Sequence, residues 1–265
     1  MRRFALFAYR LLAAFGIDVI RMAYGFMGVP RYLLSMIRFR AQTKGEHCFP
    51  FGMPYPCLAD YYEQSGQIST HYFHQDLHVA RRIFEANPQR HIDIGSRIDG
   101  FVAHVASFRP IEVLDIRPLD QNLPNIVFRQ ADFMAELAED LVESCDSVSC
   151  LHALEHFGLG RYGDEIRADG DLMGLRNLTR ILRPGGTLYL SVPIGPSRVE
   201  FNAHKVFSVQ YLFDFLQEEF SLIALSVVDD SGVFHKNVLV DTDSVFGNYG
   251  CVYGCGIFEM KKNTK

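Results

Sequence analysis

Apolar residues in the body of the chain recur with two alternating periods. Over 76–90, Leu77, Ala80 and Ile83 share one helical face, and Asn87-Pro88 ends the pattern. The short run HIDIG at 91–95 predicts a buried strand. The spacing of Ile98, Phe101, Val102 and Val105 predicts a helix over 97–108. Strands are predicted at 112–117, 125–132, 147–153 and 187–193, with helices at 134–144 and 171–182 between them. Arg183-Pro184-Gly185-Gly186 reads as a turn. A helix at 207–218 and strands at 220–229 and 251–260 close the series. Apolar strands that alternate with helices belong to a sheet covered on both faces. The expected fold is α/β, with a doubly wound, mostly parallel seven-stranded sheet over residues 75–265.

Residues 1–40 follow another pattern. Phe4, Phe7, Leu11, Leu12, Phe15 and Val19 fall at helical spacing, while Arg3, Arg10 and Arg21 share a broad polar side. Arg10, Asp18 and Arg21 interrupt the apolar run, so no spanning helix is expected. The run Phe4 to Tyr9 is short for a secretory signal. A basic helical arm of this kind either lies in an anionic membrane surface or packs on protein. Pro30 predicts a break before a second apolar segment, Tyr32 to Phe39. Residues 41–74 hold Gly45, Pro50, Gly52, Pro54, Pro56 and Gly66 and read as a loop-rich connector. In this connector and just beyond it, Tyr61, Tyr62, Tyr72 and Phe73 offer aromatic walls for a pocket or ordinary packing.

Composition narrows the class. Of 265 residues, 48% are apolar and 22% charged, which excludes a disordered chain. Six cysteines are too few for a disulfide scaffold and point to a reducing compartment. The expected location is the cytoplasm, with the arm allowing a peripheral position at the inner face of a membrane. The net charge of -5 is unevenly spread: residues 1–40 carry seven arginines against one acid, and the remainder is strongly acidic. No nucleic acid partner is expected of an acidic body.

In a doubly wound sheet the ligand sits beyond the carboxyl ends of the strands. The first strand runs into Asp93-Ile94-Gly95-Ser96-Arg97. Gly95 lets backbone approach a ligand closely. Twenty residues on, Asp115 ends the second strand, in place for the vicinal diol of a ribose. Asp132 and Phe133 end the third. They offer a carboxylate and a ring to an adenine, or Asp132 caps the helix at 134–144. Either a nicotinamide dinucleotide or S-adenosyl-L-methionine fits such a site. The dinucleotide fingerprint needs a second glycine where Arg97 stands. An acid at position 93 suits a sulfonium nucleoside with an ammonium group better than an anionic diphosphate. An NAD(P)-dependent oxidoreductase and a non-catalytic interaction protein remain the alternatives.

The stretch His152-Ala153-Leu154-Glu155-His156 follows the fourth strand. On one helical turn the two histidines would share a face. Either serves as general base for a hydroxyl acceptor, oriented by Glu155, or as a capping residue. Gly158 and Gly160 end the turn too early for the inverted zinc-hydrolase motif that H-x-x-E-H resembles. No metal is expected, and Cys251 and Cys255 read as core thiols. Arg161, Tyr162 and Asp164 shape an acceptor site, which Asn202 and His204 also face.

HIDIGS, VLDIRP, SCLHALEHFG and LRPGGTLYLSVP together resemble the class I S-adenosylmethionine-dependent methyltransferases over roughly residues 75–260. The blocks LHALEHFGLGRYGD, LRPGGTLYLSVPIG and FNAHKVFS are similar to a little-characterised methyltransferase-like family marked by LEHFGLGRYGD and sometimes encoded near surface-polysaccharide genes. The resemblance implies a Rossmann-like fold and S-adenosyl-L-methionine as cofactor. It implies that Asp93, Gly95 and Ser96 form the loop near the cofactor's amino-acid part, that Asp115 binds the ribose hydroxyls, and that Asp132 and Phe133 border the adenine. Leu151 and His152 would line the site after strand four. Arg97 departs from the pattern. The expected reaction is O-methylation of a small polar or sugar-like acceptor, such as a glycan on a membrane-bound carrier.

Overall fold

The computed structural model describes residues 2–42, 51–63, 65, 66, 68 and 70–264, with side chains for all of these but 2, 3 and 5. Gly45 and Pro50 of the expected connector, and the Arg3 side chain, lie outside that set. The chain forms two compact units, Met1–Gln67 and Ile68–Lys265.

The first unit holds α1 (Arg2–Ala14) and α2 (Val19–Gln42). Asp18, the arm's one acid, opens α2: its Oδ1 accepts from the N–H groups of Ile20 and Arg21 at 3.0 and 2.9 Å. The break expected at Pro30 is not there, because α2 runs through it. At Gly28 the helix meets the following chain so closely that a Cβ would lie 2.0 Å from the Leu58 carbonyl oxygen. Tyr24 stacks on Tyr62 at 5.1 Å, and the Arg31 guanidinium lies 3.2 Å over the Tyr61 ring. These tyrosines therefore pack on α2. Large apolar side chains along both helices and in the turn between them face solvent, Phe4, Phe15 and Phe26 each more than 70% exposed. Among the described residues no single helix is long and apolar enough to cross a membrane; Leu6–Ala14 and α2 pass that test only together, bent by 76°.

The second unit begins with α3 (His71–Ala86), capped by the Thr70 hydroxyl. Then come β1 (His91–Ile94), a π turn over Ile98–Val102 running into α4 (Ala103–Ala106), β2 (Ile111–Asp115) and β3 (Ile126–Gln130). Next are β4 (Cys145–Leu151), α5 (Gly170–Ile181), β5 (Leu182–Ile194) and a hairpin of β6 (Arg198–Glu200) and β7 (His204–Val206). The last elements are α6 (Val209–Leu216), β8 (Phe220–Val228), β9 (Phe234–His235), α7 (Thr242–Phe246) and β10 (Gly254–Lys262).

The main sheet has the order β3-β2-β1-β4-β5-β10-β8-β9. The five strands from β3 to β5 are parallel, and β10 runs antiparallel to both β5 and β8. This is the doubly wound, mostly parallel sheet of a Rossmann-like methyltransferase fold, with the two-residue β9 added at one edge. Each face carries its own core. Ile92, Ile94, Val148 and Leu190 join Leu175 and Leu178 of α5 and Leu212 of α6 on one side. Val113, Leu151 and Ile257 join Val79 and Ile83 of α3 and Val105 of α4 on the other. The strand order reverses between β1 and β4, which opens a crevice at their carboxyl ends.

Two predicted helices take other forms. The segment 134–144 has only a 3₁₀ turn, Glu139–Leu141. Asp132 Oδ1 instead accepts from the Met134 N–H at 2.8 Å, and the Asn177 side-chain amide donates to the carbonyls of Phe133 and Ala135. Those side chains take the backbone groups with which a helix would start, while Met134, Leu137 and Leu141 are buried. The helix at 97–108 is reduced to the π turn and α4, because Gly100 adopts φ -123°, ψ -111° within it. The Arg-Pro-Gly-Gly turn lies inside β5 as an irregularity: Cys145 of β4 pairs Leu182, and Ser147 pairs Thr187.

Candidate functional site

The glycine turn after β1 fixes one wall of the crevice. Gly95 has φ +72°, and a Cβ there would come within 2.9 Å of the Ala153 Cβ at the end of β4. Beneath it, Asp93 is fully buried. Its Oδ1 accepts from the hydroxyls of Ser149 (2.5 Å) and Ser96 (2.7 Å), and its Oδ2 from the Ser96 N–H (3.0 Å). Burial pushes the Asp93 carboxyl up to about 7, against the lowering effect of these three bonds. Asp93 and Ser96 thus brace the turn from behind and do not line the cavity in front of it. Arg97 takes φ -69°, ψ 131°, a conformation open to any residue, and its side chain pairs with Asp99 at 2.8 Å while the residue borders the cavity. The second glycine is therefore not needed for this turn to close.

The cavity holds about 290 Å³ and lies across the carboxyl ends of β1, β2, β3 and β4, close to the ~300 Å³ lower bound of small-molecule sites. Gly95, Asp115, Asp132, Phe133 and Leu151 line it, as do His152, His156, Arg161, Tyr162 and Asp164. Tyr72, from the first turn of α3, borders it as well. Asn202 and His204 are not among the lining residues. They belong to the β6–β7 hairpin, where His204 Nε2 lies 3.7 Å from Glu200 and its ring packs 5.1 Å from Tyr253.

Asp115 has a partner that sequence reasoning missed. Arg117 grips both of its carboxylate oxygens (Nε to Oδ1 3.0 Å, Nη2 to Oδ2 2.5 Å), and the Arg117 N–H adds a third bond at 2.8 Å. The guanidinium is held over the Tyr162 ring at 4.6 Å. The signal was present in VLDIRP as an arginine two residues past the acid. Asp164 acts on its own loop. Its Oδ2 accepts from the N–H groups of Gly158 and Gly160 at 3.0 Å each, and its Oδ1 from that of Tyr162 at 3.1 Å. Gly158, Gly160 and Gly163 all take left-handed φ. The block Leu154–Asp164 is thus a loop wrapped on one carboxylate.

His152 and His156 do not share a helical face. His152 follows β4 at φ +49°, and only Leu154–His156 form a 3₁₀ turn. The buried Glu155 carboxylate lies between them, 2.6 Å from His152 Nδ1 and 3.9 Å from His156 Nε2. Burial disfavours a charge on His152, but Glu155 and the neighbouring Cys255 thiol outweigh it and push the imidazole up to about 10. Glu155 is likewise held below its usual range, since its pairing with His152 outweighs burial. Glu155 therefore holds a proton firmly on Nδ1 of His152. His156 is the opposite case: burial, only partly offset by Glu155, lowers its pKa. Its Nδ1 donates to the Ala203 carbonyl at 2.7 Å, which leaves the lone pair on Nε2.

Behind the hairpin, Lys205 Nζ pairs with Asp171 and bonds the Ala168 carbonyl at 3.1 Å, while Tyr211 OH donates to Asp171 Oδ2 at 2.8 Å. This buried cluster ties α5, α6 and β7 together.

Among solved structures, the chain is similar to the [4+2]-cyclase SpnF (TM-score 0.51, 11% identity, covering 76% of this chain and 86% of that one). It is also similar to the N-methyltransferase NodS from Bradyrhizobium japonicum WM9 (0.48, 12%, 74% and 89%). A third is the 1,6-didemethyltoxoflavin-N1-methyltransferase from Burkholderia thailandensis (0.49, 16%, 71% and 79%). At such identities these likenesses concern the fold alone, and the first of them carries a cyclase. No curated protein matches the sequence. A sequence-family profile matches residues 118–254, more than half of the chain, including the Leu154–Asp164 loop, the β6–β7 hairpin and both histidines of the crevice. The chain belongs to the family described as Caenorhabditis protein of unknown function, DUF268.

Proposed function

We propose that the chain is an S-adenosyl-L-methionine-dependent methyltransferase acting on an oxygen of a small polar or sugar-like acceptor. One observation carries this reading: a single cavity joins a glycine turn, carboxylates at the ends of β2 and β3, and an aromatic ring beside the second. In it Asp115 takes the ribose diol, and Asp132 with Phe133 takes the adenine. Gly95 and Leu151 flank the amino-acid part, with Asp93 and Ser96 holding the turn. The methyl group of a donor so held would face His156, Arg161 and Tyr162, which line the same cavity. His156 Nε2 accepts the acceptor's proton as its oxygen forms the bond to carbon. The carbon–sulfur bond breaks and leaves a neutral thioether. Alignment of oxygen, carbon and sulfur supplies much of the rate, and His156 the proton transfer. Asn202 and His204, on the hairpin, are assigned to the outer part of the acceptor.

The arm supports an acceptor held at a membrane, because seven arginines and a row of exposed aromatics suit an anionic lipid surface. A carrier-linked glycan at the inner, cytoplasmic face of a membrane is the acceptor that fits both features. Arg117 closed on Asp115 favours a second reading, an interaction protein that keeps the fold. Isothermal titration calorimetry separates the two. S-adenosyl-L-methionine and S-adenosylhomocysteine are expected to bind in the micromolar range, and Asp115→Ala to abolish it. Absence of binding by a folded chain overturns the assignment, leaving an oxidoreductase if a nicotinamide dinucleotide binds and the interaction protein if nothing does.

A further inference from the structure

Glu155 and His152 form half of an arrangement that methyl transfer does not use. His152 Nδ1 is held by Glu155 at 2.6 Å, but its Nε2 is buried and, among the described residues, has no oxygen or nitrogen partner, only the Cys255 sulfur nearby. His152 as a whole is 7% exposed. An orphaned ring nitrogen at such a place calls for an explanation. The Cys255 sulfur, fully buried on β10, lies beside it, and His71 at the start of α3 completes a cluster. One ligand atom from each of these three residues lies within 4.8 Å of the other two. They come from three separate elements, α3, the end of β4 and β10, that the sheet brings together at one point.

We propose that His71, His152 and Cys255 form a binding site for zinc or a metal of similar preference. Two imidazoles and a thiolate are a donor set for such an ion. A carboxylate on the far nitrogen of a metal-bound histidine is the usual orienting device, and Glu155 supplies it for His152. With Zn–S of ~2.3 Å and Zn–N of ~2.0–2.1 Å, the edges of the coordination tetrahedron are roughly 3.3–3.6 Å. The cluster needs to tighten by about 1 Å at its widest to reach them. His71 is the member with room to move, being only partly buried and in the first turn of its helix. Three protein ligands leave a fourth position for water or another oxygen ligand. The ring of His152 also lines the cavity, so the metal would fix one wall of that cavity. The site stands on these residues alone, whether or not the cavity takes a sulfonium nucleoside.

The test uses the untagged full chain. Elemental analysis after growth with zinc is expected to give about one zinc per chain, following the one-site geometry. Cobalt(II) added to the metal-free chain is expected to produce thiolate-to-metal charge-transfer absorption. His71→Ala, at a partly exposed position, should remove stoichiometric zinc while circular dichroism stays unchanged. Cys255→Ser should remove the charge-transfer band. Glu155→Gln should weaken zinc binding by roughly 10–100-fold. A folded wild-type chain that binds neither ion at micromolar concentration overturns the proposal. So does binding that is the same in wild type and in both ligand variants. Calorimetry with S-adenosyl-L-methionine on the metal-free chain reports separately on the cofactor assignment.

Discussion

Asp93, enclosed beneath the glycine turn, titrates near neutrality because burial outweighs its three hydrogen bonds. Its carboxyl is raised from about 3.9 in the unfolded chain, so the protonated form favours the native state. That contribution is complete below the unfolded value and is lost as pH rises through about 7. Wild type should lose stability relative to Asp93→Asn between pH 4 and 8, which paired thermal melts across that range will read. At Asp115, the Arg117 clamp must open or share its oxygens when a ribose arrives. A partly exposed ion pair is worth about 1 kcal/mol, so Arg117→Ala should tighten S-adenosyl-L-methionine binding by up to about 5-fold. Unchanged affinity in the calorimeter would mean that ribose does not meet this carboxylate. His156→Gln should lower the methyl-transfer rate by about 10²–10⁴-fold with cofactor affinity retained, measured in single turnovers.

Among the elements, the loop Leu154–Asp164 is the one whose sequence dictates its shape most tightly. At Gly158, φ is +79° and a Cβ would fall 1.9 Å from the Arg167 carbonyl oxygen. Gly158→Ala should therefore lower the melting temperature by about 5–10 °C, from a few kcal/mol of strain in a unit of this size. The alternating periods gave every parallel strand, α5 and α6 to within about five residues, because each buries a regular apolar face, whereas α3 starts five residues early and α2 runs through the break expected at Pro30. The carboxylates Asp115 and Asp132, at strand ends, were legible as members of one crevice for the same reason. What was not legible depends on partners distant in sequence. Nothing local in 134–144 reveals that the Asn177 amide will take its first carbonyls. The β6–β7 hairpin is too short to show a period and rests on the buried Lys205–Asp171 pair. The separation of His152 from His156 in proton affinity arises from Glu155 lying nearer to one than the other, and the cluster with Cys255 spans more than 180 residues.

For the whole molecule, charge and apolar surface are concentrated in the arm. Its arginines and exposed phenylalanines predict co-sedimentation with vesicles rich in anionic lipid, weakened by salt and absent with neutral lipid. A chain lacking residues 1–42 should stay in the supernatant. Binding that persists without the arm would place the contact elsewhere. The sheet has a further consequence for how the molecule is made. β10 lies between β5 and β8, yet it is the last of the three to be synthesised. Until it arrives, β5 presents a long open edge and β8 has no neighbour on that side, so the protein must emerge from the ribosome with its central seam unzipped. At ~5–20 residues per second, the gap between β8 and β10 keeps that seam open for seconds. During that interval the open edge of β5 is a template that the edge of another chain can join.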